Sequence, residues 1–355
     1  MIASATPLSD LLSNESIDAV DRLLQTTGYG AKAKLTPTRR GANNKTFRVD
    51  GGAKPLFLKV YFRDKADARD RLAAEYGFAT MAWEHGIRAV PEPLAKDDAA
   101  GIALFEFVYG RRLDRTEVNV THIEQALTFV RRLATLQYAP DAQALPDASE
   151  ACFALNEHLQ LVDHRVEALR LVQPMSQVDE DALAFVGNEL FPAWQSQIAR
   201  LARRADHAHI ALDESLALRD RCISPSDFGF HNAVLEGGGR LRFVDFEYAG
   251  WDDPAKMVCD FFCQPGVPVP RQFLDAVAST VVEGLPNRAT HRHRIDLLWP
   301  IYRIKWCCIM LNVFTPVGAA RRGFSIGGEE LENIKKTQLA LARQALRSLM
   351  ETSHD

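Results

Sequence analysis

The chain has 355 residues, of which 47% are hydrophobic and 25% are charged, and its formal net charge is −4. This length accommodates two domains or lobes, each with its own buried core, and the composition is that of a soluble globular protein. The weak negative charge argues against a nucleic-acid partner, which more often meets a basic surface.

The N-terminal residues contain no basic segment followed by an apolar one, so no signal peptide is expected. No apolar run approaches the roughly eighteen residues that a membrane span requires. The six cysteines include no CxxC pair, and several lie in apolar runs. Buried free thiols in a reducing compartment are therefore expected, and the protein is predicted to be cytoplasmic.

The N-terminal part of the chain alternates between helical and strand periodicity. Residues 14–27 are predicted to form a helix that ends at Gly28. Residues 65–85 are predicted to form a second, amphipathic helix with Asp64 as its N-cap. Strands are predicted on both sides of this second helix, at 33–40, 44–50, 55–62, 92–96 and 102–108.

A turn rich in glycine and asparagine, Gly41 to Asn44, joins the first two predicted strands. Glycine and asparagine let backbone N–H groups approach phosphate oxygens, which makes Asn43 and Asn44 candidate nucleotide contacts. Most turns of this composition are ordinary hairpin turns, so the turn alone is a weak signal.

Lys59 is the one charged residue in the strand segment 55–62. A lone lysine in an apolar strand often lies at a sheet edge with its ammonium group in solvent. Glu75 lies near the middle of the following predicted helix among apolar neighbours, whereas the competing Glu84 lies in the last turn, where solvent is expected. A strand lysine paired with a helix glutamate is the arrangement that directs an ammonium group at nucleotide phosphates.

Helical periodicity dominates from residue 109 onward, and this change predicts a domain boundary between residues 108 and 109. The two predicted domains are a nucleotide-binding lobe of residues 1–108 and a helical lobe of residues 109–355. Helices are predicted at 121–137, 150–171, 178–208, 271–284, 295–314 and 328–350. A Gly-rich, mobile surface loop is predicted at 316–328.

The segment from Ile223 to Cys263 carries the clearest chemical pattern. Asp227 is followed by Asn232 five residues later and by Asp245 eighteen residues later. A phosphoryl-transfer site needs one carboxylate that takes or orients the acceptor's hydroxyl proton, and an amide and a second carboxylate that hold Mg²⁺. Taken singly, Asp227 would as readily be a turn or cap residue, and Asp245 a strand-end member of an ion pair. Their spacing, behind a lobe with a lysine–glutamate pair, favours a phosphoryl-transfer site.

This combination resembles the aminoglycoside phosphotransferase and choline kinase superfamily, whose fold is like that of protein kinases. The resemblance covers residues 20–310 and rests chiefly on Ser226-Asp227-Phe228-Gly229-Phe230-His231-Asn232 and Val244-Asp245-Phe246-Glu247-Tyr248. It implies a two-lobed α+β fold. A small N-lobe would contain an antiparallel sheet and one long helix, and a larger, mainly helical C-lobe would contain the catalytic loop, the metal site and the acceptor pocket.

The resemblance also implies roles for individual residues. Asp227 would be the catalytic base, which accepts the proton of the acceptor hydroxyl as it attacks the γ-phosphate. Asn232 and Asp245 would hold Mg²⁺ against the phosphates of ATP. Lys59 would bind the α- and β-phosphates, with Glu75 orienting it.

The resemblance implies nucleotide contacts from three further parts of the chain. The backbone of the hinge, from Glu106 to Val108, would face the edge of the adenine. Phe47, at the rim of the Gly/Asn turn, would cover the nucleotide. Backbone amides from Ala42 to Lys45 would take over the covering role of a more glycine-rich loop.

One position departs from the family pattern. The superfamily usually has histidine two residues before the catalytic aspartate, where this chain has Pro225. That histidine helps to hold the backbone of the loop, so its loss puts the loop geometry in question more than the chemistry. His231 is a candidate partial substitute or substrate contact.

The acceptor site is expected in the helical lobe, beyond the catalytic aspartate. The candidates follow the metal aspartate directly or lie on a later helix: Glu247, Tyr248, Trp251, Asp252, Trp299, Tyr302, Arg303 and Trp306. The aromatic residues of that helix share one face and would suit a quaternary ammonium group by cation–π attraction, but aromatic core packing explains them better. Arg303 and Lys305 would instead suit an anionic or sugar-phosphate acceptor.

The sequence therefore predicts a kinase that uses ATP and Mg²⁺ to phosphorylate a hydroxyl group of a small metabolite, such as an amino alcohol, a sugar or an aminoglycoside-like compound. The alternative is a catalytically idle nucleotide-binding or scaffold protein with a kinase-like fold, for which Pro225 is the best support. Phosphorylation of proteins is disfavoured because residues 249–256 are too short for an activation loop. No nucleic-acid or membrane partner is predicted, and the oligomeric state is open.

Overall fold

The computed structural model describes residues 12, 14–29, 33–38, 44–61, 63, 69–316, 318 and 328–352. The chain divides into two compact units, each made of two segments. Unit 1 comprises residues 1–149 and 225–250, and unit 2 comprises residues 150–224 and 251–355. The predicted boundary after residue 108 follows the change in secondary structure, whereas the compact units group residues 109–149 and 225–250 with the N-terminal sheet.

The described residues form ten strands and eleven α-helices. The strands are β1 (Lys34–Pro37), β2 (Lys45–Asp50), β3 (Leu56–Val60), β4 (Pro93–Asp97), β5 (Ile102–Glu106), β6 (Arg111–Arg112), β7 (Cys222–Ser224), β8 (Ala233–Leu235), β9 (Leu241–Phe243) and β10 (Gly250–Asp252). The helices are α1 (Asn14–Thr26), α2 (Arg71–Glu84), α3 (Val120–Ala134), α4 (Pro140–Gln143), α5 (Leu155–Arg170), α6 (Gln177–Phe185), α7 (Phe191–His207), α8 (Pro254–Cys263), α9 (Leu274–Val282), α10 (Arg288–Leu311) and α11 (Gly328–Thr352).

Unit 1 is built on a five-stranded antiparallel sheet with the strand order β1-β2-β3-β5-β4. Successive side chains of a strand point to opposite faces of the sheet. The face that carries Leu58 packs against α1 through Leu24, and the face that carries Phe105 packs against α2 through Leu72. Both faces are therefore buried, which explains why β3 and β5 read as nearly continuous apolar runs.

Helix α2 begins later than the sequence predicted. Asp70 caps it, because the Asp70 side chain accepts a hydrogen bond of 2.9 Å from the N–H of Ala73. The predicted N-cap, Asp64, lies outside the described residues. The prediction that this helix starts at residue 65 was wrong. The helix ends at Glu84, and Gly86 follows with a left-handed φ of 74°, which glycine adopts without strain at the end of a helix.

The second segment of unit 1 adds β8 and β9, which form a small sheet with the order β6-β8-β9. Phenylalanine rings hold this segment against two helices of the same unit. The ring of Phe243 stacks 4.9 Å from that of Phe129 on α3, and the ring of Phe246 lies 4.7 Å from that of Phe78 on α2. The segment is thus packed into the core of unit 1.

Unit 2 is helical around α10, which packs against α5, α7, α8, α9 and α11. The helix predicted at 178–208 forms as α6 and α7, which are joined by a π-helical segment, Val186–Leu190. The predicted loop at 316–328 lies mostly outside the described residues. All six cysteines are free, and burial raises the pKa of the thiols of Cys152 and Cys263.

Residues 288–314 are long and apolar enough to cross a membrane by length and composition alone, but 67% of their most apolar window is buried inside the fold. The core helix of a globular unit passes the same test, and α10 is such a helix. The antiparallel sheet with α2, followed by a mainly helical chain, confirms the predicted α+β class.

Candidate active site

The alternation of side chains along β3 sets the direction of Lys59. Leu58 faces α1, so Lys59 faces α2, where Glu75 lies one turn beyond the start of the helix. Nζ of Lys59 donates a hydrogen bond of 2.7 Å to Oε2 of Glu75, and the hydroxyl group of Tyr61 donates to the same oxygen at 2.7 Å. The side chains of the lysine and the glutamate are only 5% and 7% exposed. The predicted pairing is therefore present.

Lys59 contacts two further carboxylates. Its Nζ atom lies 2.5 Å from Oδ1 of Asp245 and 3.8 Å from Oε2 of Glu247. Burial alone would lower the pKa of Lys59, but the three surrounding carboxylates outweigh it and hold the pKa above its ordinary value. Burial raises the pKa of Glu75, and the attraction of Lys59 offsets only part of that rise. Lys59 is therefore charged and holds a helix and the segment after β9 together.

The loop that carries Asp227 is fixed by its backbone and by buried rings. Ser226 has a left-handed φ of 64°, and the N–H of Phe228 donates to the carbonyl oxygen of Ser226 at 2.6 Å. Phe228 and Phe230 are 4% and 0% exposed. A tight turn centred on Asp227 and the buried aromatic side chains after it thus hold the loop, although Pro225 replaces the family histidine.

Two side chains of the same loop contact the carboxylate of Asp227. Nε2 of His231 lies 3.1 Å from Oδ1. Nδ2 of Asn232 donates to Oδ2 at 3.1 Å and to the carbonyl oxygen of Asp227 at 3.0 Å. The Asp227 side chain is still 36% exposed, so a hydroxyl group can approach it.

The backbone brings Asp245 beside Asn232. The N–H of Val244 donates to the carbonyl oxygen of Asn232 at 2.9 Å, one residue before Asp245. Asp245 has a left-handed φ of 70°, a conformation that a non-glycine residue adopts only where the surrounding structure holds it. The Asp245 side chain is 45% exposed. The amide and the carboxylate that were predicted to bind a metal therefore lie at the same end of the small sheet.

The oxygen donors of Asn232 and Asp245 fit a magnesium ion. The side-chain nitrogen of Asn232 donates to Asp227, which leaves the side-chain oxygen of Asn232 as a ligand. Asp245 contacts Lys59 through Oδ1, which leaves Oδ2 as a ligand. In phosphoryl-transfer sites Mg²⁺ is usually held by one or two protein carboxylates together with substrate phosphates. Over the part of the chain that the structure describes, no group of three or more His, Cys, Asp or Glu side chains could form a metal cage.

The Gly/Asn turn reaches the same site at its C-terminal end. Asn43 lies outside the described residues. Nδ2 of Asn44 donates a hydrogen bond of 2.5 Å to Oε2 of Glu247, which is buried. This contact ties the end of the turn to the segment that carries Asp245. Glu247, predicted as an acceptor contact, is therefore also a partner of the turn.

Phe47 lies on the other face of the sheet. It is paired with Leu58 in the register of β2 and β3, and its ring is 2% exposed in the cluster that α1 covers. Lys59 points the opposite way. Phe47 is therefore part of the core. Its predicted role as a cover over the nucleotide does not fit this placement.

The predicted hinge is anchored by an arginine that the sequence did not single out. The N–H of Glu106 donates to the carbonyl oxygen of Glu92 at 2.8 Å, and Oε2 of Glu106 accepts from Nη2 of Arg242 at 2.5 Å. Burial alone would raise the pKa of Glu106, but the hydrogen bond from Arg242 holds it below its ordinary value. The amide of Glu106 is therefore used within the fold, and Val108 follows as a half-buried residue at the end of the hinge.

Of the acceptor candidates, Tyr248 lies in unit 1 with Glu247. The guanidinium groups of Arg69 and Arg71 lie 5.6 and 5.9 Å from the centre of the Tyr248 ring. Burial raises the pKa of the Tyr248 hydroxyl group, and the neighbouring carboxylate of Glu247 adds to this. Tyr248 is therefore a neutral, half-buried phenol beside cationic side chains.

Trp251 and Asp252 lie in unit 2 and are 3% and 0% exposed. Oδ2 of Asp252 accepts a hydrogen bond of 2.6 Å from Nζ of Lys256. Burial raises the pKa of Asp252 to about 6, although Lys256 opposes the rise. Both residues are thus part of the interior of unit 2.

The aromatic residues of α10 serve different contacts. Tyr302 is fully buried, its hydroxyl group lies 2.8 Å from Nδ1 of His158, and Nζ of Lys305 lies 4.6 Å from its ring centre. The remaining candidates of this helix have partners of their own: Trp306 donates to Asp260 at 2.8 Å, Trp299 packs 5.9 Å from Phe262, and Arg303 donates to the carbonyl oxygen of Ala345 at 3.2 Å. Since Lys305 already occupies the face of Tyr302, core packing describes this residue better than an aromatic cage does.

Comparison with known proteins defines the class. The model of the phosphotransferase enzyme family matches residues 34–290, so the chain belongs to that family. No curated protein matches the sequence. The predicted resemblance to the aminoglycoside phosphotransferase and choline kinase superfamily is confirmed.

Solved kinases share the fold at low sequence identity. Choline kinase LicA from Streptococcus pneumoniae aligns with a TM-score of 0.59 and 14% identity, over 94% of this chain and 100% of that one. Ethanolamine kinase from Plasmodium vivax aligns with a TM-score of 0.54 and 12% identity, over 96% and 86% of the two chains. Spectinomycin phosphotransferase APH(9)-Ia, solved with ADP and spectinomycin, aligns with a TM-score of 0.54 and 12% identity, over 92% and 98%. These likenesses confirm the predicted two-lobed, protein-kinase-like fold.

Proposed function

We propose that the protein is a kinase that transfers the γ-phosphoryl group of ATP, with Mg²⁺, to a hydroxyl group of a small molecule. One observation carries the proposal. Nζ of Lys59 joins the buried Glu75 of α2 to Asp245, which stands beside the loop of Asp227 and Asn232 within the same compact unit. Membership of the phosphotransferase enzyme family supports this assignment.

Asp227 orients the acceptor hydroxyl and takes its proton. Its carboxylate is held by two neighbours and is partly exposed, as a group that must meet a substrate needs to be. Because the transition state of phosphoryl transfer is loose, most of the gain comes from aligning the hydroxyl oxygen with the γ-phosphorus atom.

Lys59 binds the phosphates of ATP, and Glu75 keeps the ammonium group aimed at them. Asn232 and Asp245 would hold Mg²⁺ through their free oxygen atoms. When bound, the ion would supply charge neutralisation on the phosphate oxygens. The contact between Asn44 and Glu247 would hold Asn44 next to the segment that carries Asp245.

The acceptor is proposed to be an amino alcohol, a sugar or an aminoglycoside-like compound. The structurally similar proteins include a choline kinase, an ethanolamine kinase and a spectinomycin phosphotransferase, and choline, ethanolamine and spectinomycin all carry a hydroxyl group. Glu247 and Tyr248 are the acceptor candidates that lie in the same unit as Asp227.

The test is a turnover assay with ATP, Mg²⁺ and a panel that contains choline, ethanolamine, spectinomycin, gentamicin and common hydroxylated metabolites. We expect acceptor-dependent release of ADP, at a rate that Asp227→Asn lowers by roughly 10²- to 10⁴-fold. Asp141→Asn is a matched control, because the Asp141 side chain is also 36% exposed and also contacts a histidine Nε2 atom, that of His85. This control should keep wild-type turnover.

The alternative is an idle nucleotide-binding protein. It would be supported if no acceptor of the panel were phosphorylated and ATP bound equally well with and without Mg²⁺. Turnover by Asp227→Asn at the wild-type rate would instead contradict the assignment of Asp227 as the catalytic base.

A further inference from the structure

His231 has a contact in the site that the roles above leave unassigned. Its Nε2 atom lies 3.1 Å from Oδ1 of Asp227, and its side chain is 21% exposed. Its Nδ1 atom is buried and has no hydrogen-bond partner among the described residues. The polar contact of this ring is therefore made to the carboxylate of the proposed base.

The chemistry of the two groups selects one tautomer of the imidazole. An ionised carboxylate can only accept hydrogen bonds, so the ring nitrogen that faces Asp227 must carry the hydrogen atom. In a neutral imidazole the other nitrogen, Nδ1, is then unprotonated. Nδ1 is buried without a hydrogen-bond partner among the described residues, so no contact there opposes this tautomer.

We infer that His231 is a positioning residue for Asp227, an inference that rests on the proposed function. A carboxylate rotates easily about its last side-chain torsion. Here Nε2 of His231 fixes Oδ1 while the amide of Asn232 fixes Oδ2. With both oxygens held, the carboxylate presents a defined lone pair to the acceptor hydroxyl, which is the alignment on which the transfer depends.

The local fold explains how the histidine comes to this place. Phe230–Asn232 forms a single 3₁₀ turn, closed by the N–H of Asn232 on the carbonyl oxygen of Gly229 at 3.0 Å. The buried ring of Phe230 anchors this turn. The side chain of His231 then contacts Asp227, which lies four residues earlier in the chain. Pro225, two residues before Asp227, has no side-chain hydrogen-bond donor that could do the same.

The first test compares two substitutions of His231. Leucine removes the donor, whereas glutamine can place an amide N–H near the position of Nε2. In Mg²⁺–ATP turnover with the best acceptor of the panel, His231→Leu should lower kcat roughly 10- to 100-fold. Its KM for ATP should stay within about twofold of wild type, because a positioning defect acts on the chemical step. His231→Gln should recover most of the loss.

His122→Leu is the structural control. His122 is 8% exposed, its Nδ1 atom is also buried without a partner among the described residues, and its ring lies 6.3 Å from that of Phe230. It makes no described contact with Asp227, so its replacement should leave kcat unchanged. The inference is overturned if His231→Leu keeps wild-type kcat, or if the glutamine variant is as defective as the leucine variant.

The second test needs no turnover. In a ¹⁵N spectrum of the histidine side chains, His231 should show the Nε2–H tautomer, with its signal assigned from its loss in His231→Gln. Asp227→Ala should shift this signal, whereas Asp141→Ala should shift only that of His85. An unchanged His231 signal in Asp227→Ala overturns the inference. If the wild-type protein phosphorylates no acceptor, the proposed function fails, while this spectrum still decides whether His231 holds Asp227.

Discussion

Nζ of Lys59 lies 2.7 Å from Oε2 of Glu75, and both side chains are almost fully buried. Removing one member of a buried ion pair leaves the other charge uncompensated. Lys59→Met should therefore lower the free energy of unfolding by about 3–5 kcal/mol. Adding Glu75→Gln should restore part of this, because it removes the orphaned charge. Urea denaturation of both single variants and the double variant measures the coupling, and strictly additive effects would contradict the pairing.

Asp245 and Asp227 should respond differently to removal of the charge. Asp227→Asn should lower kcat by roughly 10²- to 10⁴-fold while Mg²⁺-dependent binding of ATP persists. Asp245→Asn should weaken that binding, because it removes an oxygen ligand proposed for the metal and a partner of Lys59. Calorimetric titration of each variant with ATP, first in the presence of Mg²⁺ and then in the presence of EDTA, distinguishes the two effects. Equal Mg²⁺ dependence in wild type and Asp245→Asn would exclude Asp245 as a ligand.

Phe47 should matter for stability and not for nucleotide binding. Its ring is buried under α1, on the face of the sheet opposite Lys59. Phe47→Ala should cost about 3–5 kcal/mol of unfolding free energy. In the milder Phe47→Leu, the KM for ATP should stay within about twofold of wild type. A large rise in the KM for ATP with unchanged stability would show that Phe47 belongs to the nucleotide site.

His158 should make the protein sensitive to acid. Burial lowers the pKa of His158 below 6.5, and Arg294 lowers it further, although the hydrogen bond to Asp253 opposes the shift. The unfolded chain therefore binds this proton at a higher pH than the folded protein does. Stability from this group is complete above about pH 6.5 and declines below it, by at most about 1.4 kcal/mol per pH unit.

The measurement is the free energy of unfolding at several pH values between 5 and 8. His158→Gln should give a flatter profile than the wild type in the acidic range. His164→Gln is the control, since His164 lies on the same helix and is exposed. If the wild type and His158→Gln lose stability in parallel, His158 is not the group responsible.

The pairing of Lys59 with Glu75 could be predicted because it depends on local periods. The alternation of β3 and the helical repeat of α2 decide which way each side chain points, and both are visible in the sequence. Asp227, Asn232 and Asp245 could be found because their spacing within one short segment is itself the signal. Their geometry follows from tight turns that the chain makes locally.

The features that escaped prediction depend on distant partners. Phe47 faces α1 because of the register between β2 and β3, and a shift of one residue would reverse its direction. The burial of Tyr302 agrees with the core packing that the sequence favoured, but its hydrogen-bond partner, His158, lies 144 residues away in the chain and could not be identified from local patterns. Asp64 and Asp70 are both aspartates that precede the apolar positions of α2, so the sequence gives the same N-cap signal for either one.

The route of the chain through unit 1 has a consequence for how the active site is made. The unit consists of residues 1–149 and 225–250, so residues 150–224 are synthesised before it can be completed. The sheet, with Lys59 and Glu75, leaves the ribosome well before Asp227 and Asp245 do, since synthesis proceeds from the N-terminus. Assembly of the phosphate-handling cluster is therefore a late event in biogenesis. No N-terminal fragment that stops short of Pro225 contains the proposed base or the metal ligands.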